Sequence, residues 1–308
     1  MTCLGGSSVY VAAESEDYAL VTVAAASMRS EPSNASELET QAAYGTPLRV
    51  MGREGEWLRV VTPEDYNAYV NESAVALMDS AAMARWRQSD RLIITALHPV
   101  TAISDTLRCD SPRSAVFDMT LGTIVEGRIS PGAKFTEVLL PDGRKGYVEV
   151  SSLADFSAWS RRDVSVEDIV NAAYSMNGVT YLWGGTTPKA IDCSGLTKVC
   201  YFAAGLILPR NASQQARCGR VLATDNLADL SKGDLLFFGD GDGERITHVG
   251  LYDSDGALIH ASGRVSVASL DEDSPLYLPR KVLRAVRIIG EPQGEVPVVH
   301  VASHPWYF

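Results

Sequence analysis

Strand-like runs recur early in the chain: Ala19-Leu20-Val21-Thr22-Val23, then Leu48-Arg49-Val50-Met51, then Trp57-Leu58-Arg59-Val60-Val61, with a turn-rich segment around Pro32-Ser33-Asn34 after the first. Short apolar runs rich in β-branched and aromatic residues, bounded by turn residues, predict strands. The pattern then returns. Tyr44-Gly45-Thr46 is echoed by Leu121-Gly122-Thr123, Trp57 by Phe135, Val60 by Val138, Pro63 by Pro141 and Tyr69-Val70 by Tyr147-Val148, at a near-constant offset. Two copies of one small β unit are the economical reading. Between them Ser80 to Gln88, with Ala81, Ala82, Met83, Ala84, Arg85 and Trp86, is rich in helix formers and predicts a short helical connector.

After Asp155-Phe156-Ser157-Ala158-Trp159 the apolar spacing becomes helical. Ser165 can cap a helix that carries Glu167 and Asp168 in its first turn and Ile169, Ala172, Ala173 and Met176 on one face, with Gly178 ending it. A second helix follows Ser194, with Leu196, Val199, Cys200 and Ala203 at helical spacing and Gly205 as its stop. Leu235 to Phe238, His248 to Tyr252, Ala257 to His260 and Val282 to Ile288 are strand candidates for one antiparallel sheet, which makes this part an α+β domain. Residues 1 to 17, small, polar and acidic, read as a loosely held leader. Residues 291 to 308 read as a Pro-interrupted tail whose His300 and His304 are structural or surface residues.

The chain has 308 residues and a net charge of −11, from 27 basic and 38 acidic side chains. That balance argues against nucleic acid or an anionic membrane as partner and suits a small peptide better. No apolar run reaches the length that spans a bilayer. Five cysteines, an odd number, do not indicate a complete disulfide framework and lean toward a reducing compartment. No charged-then-apolar leader is visible, so the chain is expected in the cytoplasm if complete as written, or in the periplasm or cell envelope if a leader has been removed. Cys3 is read as chance placement rather than a lipid-attachment site. A monomer is expected.

The candidate chemistry centres on Tyr181-Leu182-Trp183-Gly184-Gly185 and Asp192-Cys193-Ser194-Gly195-Leu196. Cys193 falls in the first turn of its helix, where free N–H groups and the positive end of the helix dipole favour an anion, so a lowered thiol pKa is expected. His248 and His260 lie on neighbouring strand candidates around the turn Asp253-Ser254-Asp255-Gly256, so His248 can take the cysteine proton while His260 orients it. The backbone N–H of Cys193 and the Tyr181 hydroxyl are candidate oxyanion donors. A buried structural cysteine is the bland alternative. A zinc site from Cys193, His248 and His260 is the other, and it lacks paired ligand spacing. No metal and no cofactor is expected.

Taken together, Tyr-x-Trp-Gly-Gly, Asp-Cys-Ser-Gly-Leu, Gly233 to Phe238 (Gly-Asp-Leu-Leu-Phe-Phe), His-Val-Gly-Leu-Tyr and Ile-His-Ala resemble the NlpC/P60 cysteine peptidases, over roughly Val164 to Gly290. The β units, with Met28-Arg29-Ser30-Glu31-Pro32, a Gly-Thr turn, an aromatic strand and a closing Tyr-Val in the first, resemble bacterial SH3-like barrels; the second lacks the Arg-x-x-Pro opening. The resemblance implies a multidomain chain: leader 1–17, SH3-like domain 18–78, helical connector 79–90, SH3-like domain 91–156, papain-like NlpC/P60 domain 157–290 and tail 291–308. Two SH3-like domains before the peptidase are similar to the γ-D-glutamyl-L-diamino acid endopeptidases. That implies cleavage of peptidoglycan stem peptides with a free N-terminal L-Ala, releasing L-Ala-γ-D-Glu, with diaminopimelate or lysine in third place left open. It also implies that Trp183, Asp192, Ser194 and Ser213 line the pocket, and that the first SH3-like domain reads the amine through a carboxylate, for which Glu37 is chosen, with Tyr66 beside it. Two other readings stand: SH3-like domains that tether a wall hydrolase or amidase to the polymer, and acyl transfer to an acceptor other than water.

Overall fold

The computed structural model of the chain describes residues 17–99, 101–102, 118–224, 227–240 and 243–308. The expected leader, save Asp17, lies outside the described residues, as do Cys3 and Cys109.

The first β unit comprises β1 (Tyr18–Val21), β2 (Ala26–Arg29), β3 (Leu38–Ala42), β4 (Pro47–Glu54), β5 (Trp57–Val61), β6 (Asn67–Asn71) and β7 (Val75–Met78), and leads into helix α1 (Ser80–Gln88). The second comprises β8 (Arg91–Ile94), β9 (Thr101–Ala102), β10 (Ile124–Gly127), β11 (Phe135–Leu139), β12 (Lys145–Glu149) and β13 (Leu153–Asp155), and leads into α2 (Phe156–Ser160). Their strand orders, β3-β2-β6-β5-β4-β1-β7 and β9-β12-β11-β10-β8-β13, superpose element for element, with β3 as the extra strand of the first. The counterpart stretch of the second unit, 103–117, is outside the described residues. Neither ladder closes on itself among the described residues, so the expected barrels are open sheets in their hydrogen bonding.

The repeat runs further than its sequence signature. β6 and β12 share one alternation of buried and half-exposed positions. Each unit ends in a helix capped by an aspartate, Asp79 accepting from the Ala82 N–H at 2.5 Å and Asp155 from the Ala158 N–H at 2.7 Å.

The rest of the chain holds α3 (Val166–Ser175), β14 (Thr186–Thr187), β15 (Ala190–Ile191), α4 (Cys193–Ala203), β16 (Leu206–Ile207) and α5 (Ala212–Gln215). It continues through β17 (Arg220–Leu222), β18 (Leu235–Gly239), β19 (Ile246–Tyr252), β20 (Ala257–Ser262), β21 (Arg264–Ser269), β22 (Val282–Arg287) and β23 (Val299–His300). An antiparallel sheet in the order β17-β22-β18-β19-β20-β21 packs against α4, which in turn packs on α3. Ile169, Ala173, Leu196, Cys200, Phe237, Val249 and Leu251 are completely buried between these layers. Each of the larger ones contributes about 1.5–3 kcal/mol of hydrophobic burial.

Two contacts lock the β units to this layered part. Gln41 of β3 and Thr186 of β14, both buried, exchange hydrogen bonds of 2.5–3.2 Å through backbone and side chain. Below them, Leu20, Trp86, Ile93, Phe156, Trp159, Ile207, Val301 and Tyr307 form one apolar cluster drawn from both units, the layered part and the tail. The Arg91 guanidinium is buried in that cluster 4.5 Å from the Trp86 ring centre and 4.8 Å from that of Phe156, and donates to the Tyr307 carbonyl at 2.7 Å. Val301 and Tyr307 of the tail are therefore core, and of the two readings given to His304, structural or surface, the structural one holds. His304 is 8% exposed because its ring fills this junction.

Candidate active site

Asp192 shapes the segment that presents Cys193. It stands one residue before α4 with extended backbone, and its Oδ1 accepts from the Gly195 N–H at 2.7 Å, which satisfies an otherwise orphaned donor of the first turn. Its Oδ2 accepts from the Gly184 N–H at 3.0 Å and pins the preceding turn to the helix start. Arg210, 3% exposed, donates to Oδ2 at 2.5 Å and Oδ1 at 3.3 Å, and to the Ser194 hydroxyl oxygen at 2.9 Å. The Ser194 hydroxyl donates to Oδ1 at 3.2 Å. With five donors the Asp192 carboxylate is fully occupied. The structure thus places Asp192 and Ser194 on either side of Cys193 in one hydrogen-bonded framework with Arg210.

Cys193 opens α4 and is buried, and the backbone N–H groups of Ser194 and Val249 favour its thiolate form. Burial nevertheless pushes the thiol up to about 11, and the Asp192 charge adds to the rise. The lowered pKa expected from the helix N-terminus is overridden because the sulfur is dry and sits next to a carboxylate.

Val249 follows His248 in β19, so the strand that touches the sulfur carries the imidazole. The pairing of β19 with β20 sets Gly250 opposite His260, which puts His248 two residues along on the same face and diagonally adjacent. Their rings meet edge-on, His248 Nε2 to His260 Nδ1 at 2.8 Å. In the tautomer where His248 Nε2–H is the donor of this bond, the lone pair of His248 is on Nδ1, as a base needs. Burial first, then the neighbouring His260 and Arg280, push His248 down to about 3; burial and then Arg280 lower His260 as well. Near neutral pH both rings are neutral. Tyr181, half-buried, has its hydroxyl pushed up to about 12 by burial and by the charges of Cys193 and Asp192, and so remains a donor.

The first β unit reaches this site through β3. Gly184 has φ +82 and lies so close to Leu38 that a Cβ would stand 2.2 Å from the Leu38 carbonyl oxygen. That approach brings the segment of Glu37 and Glu39 against the Trp183-Gly184 turn. Glu37 is exposed and accepts from the Trp183 indole N–H at 2.7 Å. The Tyr66 hydroxyl donates to Glu39, not Glu37, at 2.5 Å. Arg210 also donates to the Glu39 carbonyl at 3.1 Å, so one guanidinium links β3 to the start of α4. Ser213 is exposed on α5 and makes none of these bonds; its segment contributes Arg210 and Gln215 instead, the latter donating to the Ser194 carbonyl at 3.0 Å. Arg210, Glu39 and Gln41 were not singled out in the sequence, where the only trace is the alternation Glu37, Glu39, Gln41 on one face of a strand. Trp183 is the most exposed of the large apolar side chains, at 61%.

A cysteine at the start of a helix that packs on an antiparallel sheet, with two histidines on adjacent strands of that sheet, is the layout of papain-like cysteine peptidases. The chain belongs to the NlpC/P60 family. The NlpC/P60 family model matches residues 178–284, and the model for the bacterial dipeptidyl-peptidase Sh3 domain matches residues 28–75. Dipeptidyl-peptidase 6 of Lysinibacillus sphaericus is 30% identical over 269 residues, 84% of this chain and 94% of that protein. A γ-D-glutamyl-L-lysine dipeptidyl-peptidase of Bacillus cereus is 28% identical over 258 residues, 80% of this chain and 74% of that protein. In fold, the chain is similar to the crystal structure of an NlpC/P60 family protein from Bacillus cereus, with a TM-score of 0.72, 22% identity and coverage of 88% and 99% of the two chains.

Proposed function

We propose that this cysteine peptidase hydrolyses the γ-D-glutamyl–diamino acid bond of peptidoglycan stem peptides that carry a free N-terminal L-Ala, and releases L-Ala-γ-D-Glu. The observation that carries this reading is the Arg210 bridge, which holds Glu39 and its Tyr66 partner at a set place relative to the Cys193 helix. A thiol alone would cut amides generally. A half-buried carboxylate fixed nearby gives a free ammonium group a partner and so measures the substrate from its amino end. Glu39 takes that role, while Glu37 holds Trp183 at the rim, where Trp183 and Ser213 meet substrate from the solvent side.

Cys193 attacks the γ-carbonyl as His248 takes its proton on Nδ1, with His260 fixing the ring through Nε2. The oxyanion is held by the Cys193 N–H and the Tyr181 hydroxyl, each worth about 2.7–4 kcal/mol. His248 returns the proton to the leaving amine, and water releases the acyl group from sulfur. The names of the relatives point to L-lysine in third place, and a monomer suffices for every role assigned.

The test is mass spectrometry of products from L-Ala-γ-D-Glu-L-Lys and its N-acetyl form. Release of L-Ala-γ-D-Glu from the first with little cutting of the second is expected. Equal cutting of both would sink amine recognition, and cutting at any other bond would sink the specificity assigned.

A further inference from the structure

We infer that the ion pair Lys198–Glu64 and the hydrogen bond from His304 to Pro63 set the separation between the nucleophile and the amine-reading pair, so that Lys198 and His304 are positioning residues for substrate length. The inference rests on the amine-reading role of Tyr66 and Glu39 proposed above, and it concerns what holds them.

Tyr66 ends the turn between β5 and β6. The turn is closed by Thr62 N–H to Tyr66 carbonyl at 3.0 Å and Asp65 N–H to Thr62 carbonyl at 2.9 Å, and Asp65 sits at φ 60, a left-handed conformation costly for a residue with a side chain. Such a turn keeps its shape only where its surroundings impose it. Two grips do so. Glu64, its side chain 4% exposed, pairs with Lys198 at 2.9 Å, and Lys198 belongs to α4, the helix that begins with Cys193. His304 donates through Nε2–H to the Pro63 carbonyl at 3.0 Å, while its Nδ1 accepts from the Trp306 N–H at 3.2 Å. Both ring nitrogens are thus used by one neutral tautomer, which ties the turn to the aromatic tail cluster.

A substrate that must present its amine to Tyr66 and Glu39 and its γ-carbonyl to Cys193 spans a fixed gap. Arg210 fixes that gap on the β3 side, and Lys198 fixes it on the Tyr66 side. Neither Lys198 nor His304 has been given any contact with substrate, so their loss should shift the frame rather than the chemistry.

The experiment compares Lys198→Met, His304→Phe, His304→Gln and Tyr66→Phe on L-Ala-γ-D-Glu-L-Lys and its N-acetyl form, with thermal melts to confirm folding. Lys198→Met and His304→Phe should raise KM for the free-amine peptide by about 10- to 100-fold with kcat little changed, the scale of a frame misplaced by an ångström. Preference for the free amine should fall in parallel. His304→Gln, whose amide N–H can reach the Pro63 carbonyl, should recover most of the loss. If Tyr66→Phe collapses the preference while folded Lys198→Met and His304→Phe keep it, the positioning role is overturned and the amine reading survives. If Tyr66→Phe also leaves the preference intact, the amine reading itself falls and this inference with it. Should His304→Phe fail to fold, Lys198→Met decides alone.

Discussion

The groups proposed to react rest neutral. Burial holds the Cys193 thiol at about 11 and His248 at about 3, so near neutral pH the proton stays on sulfur until a substrate arrives. A preformed thiolate–imidazolium pair would alkylate at a rate flat from acid pH upward. Here the inactivation rate with iodoacetamide should climb about tenfold per pH unit from about pH 7 to about pH 10 without a plateau. A plateau already present below about pH 7 would show that the helix N-terminus outweighs burial. Cys200 and Cys218 are buried and pushed up by burial as well, so among the cysteines of the described residues loss of activity reports Cys193. At this scale the residues proposed to react could be picked out because each lies in a contiguous motif that the local backbone explains. Arg210 was not, because its meaning depends on the Glu39 carbonyl and the Asp192 carboxylate, which the fold brings to it from other parts of the chain.

Among the elements, β3 carries the carboxylate proposed to read the amine, and it is the strand the hydrophobic pattern hides. Leu38-Glu39-Thr40-Gln41-Ala42 looks like a polar loop, yet Thr40 and Gln41 are buried, since Thr186 supplies the hydrogen bonds that make a buried amide tolerable. Only the partner strand explains it. The repeat of the β units was legible from its turn glycines and aromatic strands. The second capped helix was not, because Phe156 to Ser160 is too short to show a period. Gly184 is where β3 meets the catalytic segment, so Gly184→Ala should push β3 off and raise KM for the tripeptide by about tenfold or more. Gly55→Ala is the control. Gly55 has φ +62 but open space around its Cβ, so only the backbone cost of roughly 1 kcal/mol should appear, as a lower Tm with KM unchanged. Equal KM values for the two variants would mean that β3 does not shape the site.

For the molecule as a whole, acid stability follows from three histidines buried neutral. His248, His260 and His304 all have their pKa lowered chiefly by burial, His248 to about 3. Unfolding releases each ring to its ordinary value near 6.5, so below that pH the unfolded chain binds protons the folded one refuses. Stability from these groups is therefore complete above about pH 6.5 and drains away as pH falls toward 3, on the order of several kcal/mol in total. Arg280, beside the histidine pair, sharpens the effect by opposing a second positive charge. Because His304 packs against Trp306 and Tyr307 of the cluster shared by both β units, the layered part and the tail, the loss should be global rather than confined to one region. Urea midpoints between about pH 7 and about pH 4 should fall steeply, with tryptophan fluorescence and far-UV circular dichroism reporting one transition. His248→Gln should flatten the slope by removing the largest proton uptake. A midpoint insensitive to pH over that range, or an unchanged slope in the variant, would show that the imidazoles are already charged in the folded protein and that the base assigned to Cys193 is not free to take its proton.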